Sequence, residues 1–222
     1  MNELLAELID AGQELVSSGL VTGAGGNVSV RDGDSMWISP SGFSLADARA
    51  EHYPCVSVES GDIAEGAFRP SSEVLMHLFI YRVRPEVSCI IHAHPKMTVA
   101  LCSSGHDLQA MFADYYVYLG KNVPHIPYVT VTTPELADIV GEHFEAADCQ
   151  GMVLRNHGTI TVGASVKEAC FRSHAMEEQA FIQWHALQVG QPAFLSPEEC
   201  EKLDTLGSED YRRQLLADMR PS

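Results

Sequence analysis

A chain of 222 residues is long enough for one domain with a buried core, or at most two small ones. Hydrophobic residues at 45% and charged residues at 20% are the proportions of an ordinary globular protein. A formal net charge of −16 excludes a general surface for nucleic acid or anionic membranes, and it leaves any bound phosphate to backbone N–H groups, hydroxyls and a metal.

The N-terminus carries Glu3 and Glu7 where a secretory leader would need basic residues and a longer apolar run. Leu4, Leu5, Leu8, Ile9, Leu15 and Val16 recur at helical spacing, and Gly19 can end that helix. A glycine-rich turn comes next, then a hairpin with strands at Val28 to Arg31 and Met36 to Ser39 joined through Asp32-Gly33. Residues 55–58 read as another short strand. Ser71 or Ser72 can cap a helix running through Glu73, Leu75, Met76, Leu78 and Phe79 to about Arg82. Val87 to His94 is a strongly apolar strand that Pro95 ends, with room for a helix after it. Thr133-Pro134 opens a helix to about residue 145. Residues 152–163 read as strand, turn and strand. Ser165 and Glu168 form a capping box for a long helix to about Val189, and the remainder is weakly patterned but helical in composition. No run reaches the ~18 apolar residues of a membrane span. The six cysteines are scattered without a CxxC pair, as reduced thiols of a cytoplasmic protein would be. The irregular mixture of strands, hairpins and helices predicts an α+β or mixed α/β domain, its largely antiparallel sheet covered by helices. The glycines at 23, 25 and 26 precede a strand, the wrong context for a dinucleotide-binding turn.

The strongest chemical feature is Ile91-His92-Ala93-His94-Pro95. Side chains at i and i+2 of a strand share a face, so both imidazoles can reach one ion. Two ordinary polar residues at a strand end are the plain alternative. A catalytic zinc takes three protein ligands and an open position, and His157 in the turn Arg155-Asn156-His157-Gly158 is the best third candidate. An all-imidazole site also accepts Mn2+ or Co2+. The other seven histidines lack such settings; His77, His143, His174 and His185 fall on predicted helices as core or surface residues. Pro70-Ser71-Ser72-Glu73 reads plainly as a helix N-terminus with its cap. It also offers two hydroxyls for an anion and a carboxylate able to act as a general base. The turns Gly23-Ala24-Gly25-Gly26-Asn27 and Ser39-Pro40-Ser41-Gly42 are hairpin punctuation, or exposed N–H groups that cradle phosphate or carboxylate.

These pieces occur together and in order. The stretches GLVTGAGGNVSVRDGD, ISPSG, PSSEVLMHLFIY, IIHAHP, the Pro127-Tyr128 pair and NHGTITVG, across about residues 19 to 163, resemble the class II aldolase family of the fuculose-phosphate aldolase, ribulose-phosphate epimerase and adducin-head type. The resemblance implies that residues 1–222 form a single three-layer α/β/α domain around a mostly antiparallel sheet, assembled as a homotetramer with sites near subunit interfaces. It implies Zn2+ on His92, His94 and His157, with Glu73 as catalytic acid/base. A phosphate would be held by Asn27, Ser41, Gly42, Ser71 and Ser72. The implied reaction is cleavage of a carbon–carbon bond beside the carbonyl of a small phosphorylated sugar or sugar acid. The family also contains decarboxylases of oxo-tetronate phosphates, sugar-phosphate dehydratases and epimerases, and the non-catalytic adducin head. Two departures stand out. Ala24 occupies a position where the aldolases carry Thr or Ser. The family's proton-donating tyrosine, supplied by a neighbouring subunit, has to be sought among Tyr115, Tyr116 and Tyr118, with Tyr115 the preferred match.

Overall fold

The computed structural model describes residues 3–207 together with residues 211 and 215. In chain order the elements are α1 (Glu3–Ser17), β1 (Asn27–Asp32), β2 (Ser35–Ile38), β3 (Cys55–Ser57), β4 (Ile63–Glu65), α2 (Val74–Val83), β5 (Cys89–Ala93), α3 (Lys96–Ser103), α4 (Ala113–Leu119), β6 (His125–Ile126), α5 (Pro134–Phe144), β7 (Gly151–Leu154), β8 (Gly158–Gly163), α6 (Val166–Val189) and α7 (Pro197–Asp204). The strands make one eight-stranded sheet in the order β4-β3-β2-β1-β5-β8-β7-β6. Every neighbouring pair is antiparallel except β6 with β7.

Apolar side chains on both faces of the sheet explain its two helical layers. On one face Met36, Ile38, Val56, Ile90, Met152, Leu154, Ile160 and Val162 are buried with Met76, Leu78 and Ile80 of α2 and Leu136, Val140 and Phe144 of α5. On the other, Val28, Val30, Ile91 and Ala93 meet Leu5, Leu8 and Leu15 of α1 and the first turn of α6. Beside that cluster, Val153 packs with Leu101, Leu119 and Met176 from α3, α4 and α6. This is the expected α/β/α sandwich. The helices begin where the sequence places caps. Thr133 Oγ1 accepts from the Leu136 N–H with Pro134 in the first turn. Ser165 Oγ accepts from the Glu168 N–H, while the Glu168 carboxylate takes the Ala164 N–H rather than closing a full capping box.

At α2 the expected serine cap gives way to a turn. Ser71 N–H donates to Ser39 O and Ser41 N–H to Arg69 O, with Pro40 bridged to Pro70. Pairing holds this segment extended, so Ser71 Oγ accepts from the Glu73 N–H and the helix proper starts at Val74. Three short elements have no counterpart in the sequence reading: β4, whose residues are all exposed; α4, whose buried Tyr115, Tyr116 and Leu119 carry no clear cap; and the two-residue β6. The helical composition expected after residue 189 is met by α7, and most of the chain beyond residue 207 lies outside the described residues. All six cysteines are free thiols, and among the described residues no helix is long and apolar enough to cross a membrane.

Strand parity decides which polar groups reach the interior. β1 pairs with β5 so that Asn27 stands opposite His92 and Ser29 opposite Ile90. Val28, Val30, Ile91 and Ala93 face α1, which sends Asn27, Ser29, Ile90 and His92 to the face covered by α2.

Candidate metal centre

Four side chains converge beyond the end of β5. Glu73, His92, His94 and His157 each offer one ligand atom, and these atoms all lie within 4.8 Å of one another. His92 is completely buried, and its Nδ1 lies 2.9 Å from the Thr159 carbonyl oxygen. A carbonyl can only accept, so Nδ1 carries the proton and Nε2 turns its lone pair inward. His94 sits one residue past the strand, its N–H donating to Leu20 O, with its Nε2 3.0 Å from His92 Nε2. His157 occupies the β7–β8 turn, where Asn156 adopts a positive φ of 59° and Gly158 comes two residues later. The turn is anchored to the end of α3 by Arg155, which donates to Cys102 O and His106 O, and by the Asn156 N–H on Ser103 Oγ. Glu73 Oε2 is 3.2 Å from His92 Nε2, and Oε1 is 3.2 Å from His157 Nε2 without the alignment of a hydrogen bond.

Glycines let these groups meet. A Cβ on Gly158 would overlap Ala93 O and come within 2.8 Å of the His94 ring. One on Gly25 would stand 2.9 Å from His94 Nδ1. The glycine-rich turn before β1 therefore makes room for a histidine, a use its composition does not announce.

The cluster fits a divalent transition metal. A tetrahedral site with metal–nitrogen bonds of about 2.05 Å has edges of about 3.3 Å. Two donor separations, 3.0 Å from His94 Nε2 to His92 Nε2 and 3.2 Å from His92 Nε2 to Glu73 Oε2, are close to that spacing, and all four donors lie within 4.8 Å. Glu73 Oε1 and His157 Nδ1 are buried without hydrogen-bond partners. A carboxylate oxygen orphaned among imidazoles is well explained as a donor to a cation. The sequence reading assigns Glu73 to proton transfer alone; the fold also adds it to the donor set. Burial by itself would raise the Glu73 carboxyl, but His92 and His157 overcome this and hold it well below the usual carboxylate range. Burial, with His92 and His157 nearby, lowers His94 to about 4, so its ring is neutral at physiological pH and has a lone pair to offer a metal.

The other candidates divide into three groups. The Ser41-Gly42 and Ser71-Ser72 segments lie side by side through the Pro40–Pro70 bridge, with Ser41, Gly42 and Ser72 outside the buried core. Asn27 is buried, its Nδ2 donating to Glu73 Oε2 at 3.0 Å and its Oδ1 2.6 Å from His77 Nε2. Tyr115 is not gathered with the cluster. It is 3% exposed, packed with Leu101, Leu108 and Leu119, and its hydroxyl has no partner. That burial conflicts with a hydroxyl offered to a neighbouring subunit. The groups missed by the sequence reading are His77, Ser29 and Tyr81, a connected polar set behind Asn27. The signal for them is the spacing of four residues from Glu73 to His77 and from His77 to Tyr81, which stacks them on one side of α2.

Comparison with known proteins agrees with this geometry. The sequence profile of the class II aldolase and adducin N-terminal domain matches residues 6–184. The 5-deoxy-D-ribulose 1-phosphate aldolase of Bacillus thuringiensis is 33% identical over 200 residues, covering 89% of this chain and 92% of its own. The L-fuculose phosphate aldolase of Methanococcus maripaludis is 31% identical over 180 residues, covering 81% of this chain and 96% of its own. The solved structure of an L-fuculose 1-phosphate aldolase superposes with a TM-score of 0.85 at 30% identity, covering 96% of this chain and 97% of that one.

Proposed function

The chain belongs to the class II aldolase and adducin N-terminal domain family, and from that membership we propose a metal-dependent aldehyde-lyase acting on a small sugar phosphate. The observation that carries the reading is the convergence of Glu73 with His92, His94 and His157 within 4.8 Å. A non-catalytic domain has no need of that set. The aldolases similar to this chain act on ketose 1-phosphates, so a ketose 1-phosphate is the substrate class. Cleavage between C3 and C4 releases an aldehyde and leaves a three-carbon phosphate. The carboxy-lyase, dehydratase and epimerase alternatives are not favoured by relatives named as aldolases.

The ion, for which Zn2+ is the proposal, supplies a Lewis acid for the negative charge that develops on the carbonyl oxygen. His92, His94 and His157 would hold it through ring nitrogens, and Glu73, a fourth donor in the substrate-free cluster, would have to leave the ion to act as the base. Glu73, held ionised at rest, removes the C3 proton in synthesis; in the cleavage direction it first takes up the proton released as the C4 hydroxyl becomes the aldehyde carbonyl, and then delivers it to C3. Asn27 orients that carboxylate through Nδ2 and keeps a second N–H for substrate. The paired Ser41-Gly42 and Ser71-Ser72 segments are proposed to hold the phosphate with hydroxyls and backbone N–H groups, as the acidic composition requires. A homotetramer is supported by Phe181, Trp184 and Val189, large apolar side chains left exposed toward the end of α6. Six free thiols support a reducing compartment such as the cytoplasm.

The test is to purify the protein without chelator or histidine tag, quantify its metal, and incubate it with a panel of ketose 1-phosphates and oxo-tetronate 4-phosphates. Bound metal with aldehyde release establishes the proposal. Release of CO2 without aldehyde transfers the same site to a carboxy-lyase. A metal-free protein that cannot be reconstituted and stays inactive removes the enzyme.

A further inference from the structure

Behind Glu73 runs a buried file of polar groups drawn alternately from α2 and β1. Asn27 Nδ2 is 3.0 Å from Glu73 Oε2, and Asn27 Oδ1 is 2.6 Å from His77 Nε2. His77 Nδ1 is 2.7 Å from Ser29 Oγ, and Ser29 Oγ is 2.9 Å from Tyr81 Oη. Residues 73, 77 and 81 are four apart along the helical segment, a rise of about 6 Å per step. Residues 27 and 29 are two apart on a strand, a rise of about 6.8 Å. The two repeats nearly coincide, so one stripe interlocks with the other.

We infer that His77 is a positioning residue that sets the amide of Asn27 so that its N–H, not its oxygen, faces the Glu73 carboxylate, with Ser29 and Tyr81 fixing the tautomer of His77. The inference rests on Glu73 being the acid/base. An Asn side chain can sit two ways, and the wrong one would aim Oδ1 at another acceptor. His77 decides between them, because a proton on Nε2 requires Oδ1 on its side. That proton leaves Nδ1 as an acceptor, which takes the Ser29 hydroxyl. Ser29 Oγ in turn accepts from the Tyr81 hydroxyl. Every donor then points toward Glu73. Ser29, His77, Tyr81 and Asn27 are 0, 1, 1 and 4% exposed, so bulk water has no access to supply the opposite orientation. Burial, with His92 nearby, also lowers His77 to about 3, which keeps the ring neutral and limits it to a single N–H. The single Tyr81 proton has two acceptors in reach, Ser29 Oγ at 2.9 Å and the Ser88 carbonyl at 3.3 Å, and the ionised Glu73 at the far end of the file selects the shorter.

The experiment compares His77→Leu and His77→Gln in the metal-loaded protein, each also in an Asn27→Ala background, with metal content and melting temperature recorded. Displacing Glu73 from its working geometry is expected to lower kcat by about tenfold or more in His77→Leu, with KM changed by less than about twofold. The amide of His77→Gln can still donate to Asn27 and accept from Ser29, and should restore most of kcat. In the Asn27→Ala background, His77→Leu should cost nothing further. Equal losses in Leu and Gln, losses that multiply with Asn27→Ala, or a lowered melting temperature with unchanged kcat would each overturn the inference. Nitrogen-15 NMR of His77 in the holo-protein reads the file independently of turnover and of any variant that fails to fold. A protonated Nε2 and bare Nδ1 at neutral pH are expected, and the opposite tautomer or a cation sinks the proposal. If the wild type releases no aldehyde from any ketose phosphate, the functional reading fails while the nitrogen spectrum still decides this one.

Discussion

At Gly158 the space for a side chain is already filled by Ala93 O and the His94 ring, so a single methyl tests the whole donor set. Gly158→Ala should lose bound metal and most turnover, read by metal analysis and aldehyde release, even if the sheet persists in circular dichroism. Glu73→Gln separates the two roles of that carboxylate. Three imidazoles remain, so metal should stay bound while kcat falls by about 10²–10⁴; wild-type turnover in this variant would exclude Glu73 as the acid/base. His94→Ala should lose both metal and activity. Tyr115→Phe removes a buried hydroxyl that has no partner. Its melting temperature should hold or rise, and turnover should stay near wild type. A large loss of turnover would return Tyr115 to the role of proton donor.

The elements that carry the site are stitched together at their ends. The Glu177 carboxylate on α6 accepts from Met97 N–H and Thr98 N–H at 2.9 Å each and from the Thr98 hydroxyl at 2.9 Å, tying down the start of α3 just after His94-Pro95. Glu177→Ala should lower unfolding stability by about 2 kcal/mol, measured in denaturant, because charge-assisted bonds to otherwise unpaired N–H groups are lost. Metal affinity should weaken with it. Much of this scale was legible in the sequence. The apolar run before His92, the Thr133 and Ser165 caps and the glycine beside His157 each had a local physical cause and occupy the places expected. The start of α2 was not legible, because pairing of residues 69–71 with residues 39–41 overrides the local preference of serine for a cap. The role of His77 was hidden for a similar reason. On a helix it reads as a core or surface residue, and only the register of β1 against α2 supplies its partners.

For the molecule as a whole, acid should act through the histidines. The fold holds His94 and His77 at about 4 and about 3, below the ordinary value of 6.5. Between those limits the unfolded chain binds more protons than the folded one, so this contribution to stability is complete above about pH 6.5 and is lost as pH falls toward 4 and then 3. The melting temperature of metal-stripped protein should therefore drop between about pH 7 and pH 4.5, and less steeply in His94→Gln. At fixed neutral pH, removing a metal present at about 100 times its dissociation constant should cost about 2.7 kcal/mol of stability. The sheet itself should survive, since each fully buried aliphatic side chain on its two faces contributes about 2 kcal/mol without the ion.

The anchoring of the donors has a kinetic consequence. His92 is pinned to Thr159 O, His94 to Leu20 O through its backbone, and the His157 turn to the end of α3. Such groups behave like a rigid macrocyclic chelator rather than loose arms, with their ordering entropy already lost when the chain folds. Uptake should then be limited by shedding of water from the incoming ion, and an emptied site should refill without refolding. A frame that cannot widen also discriminates by ionic radius, so large hard cations such as Ca2+ should fail to compete at the site even in excess.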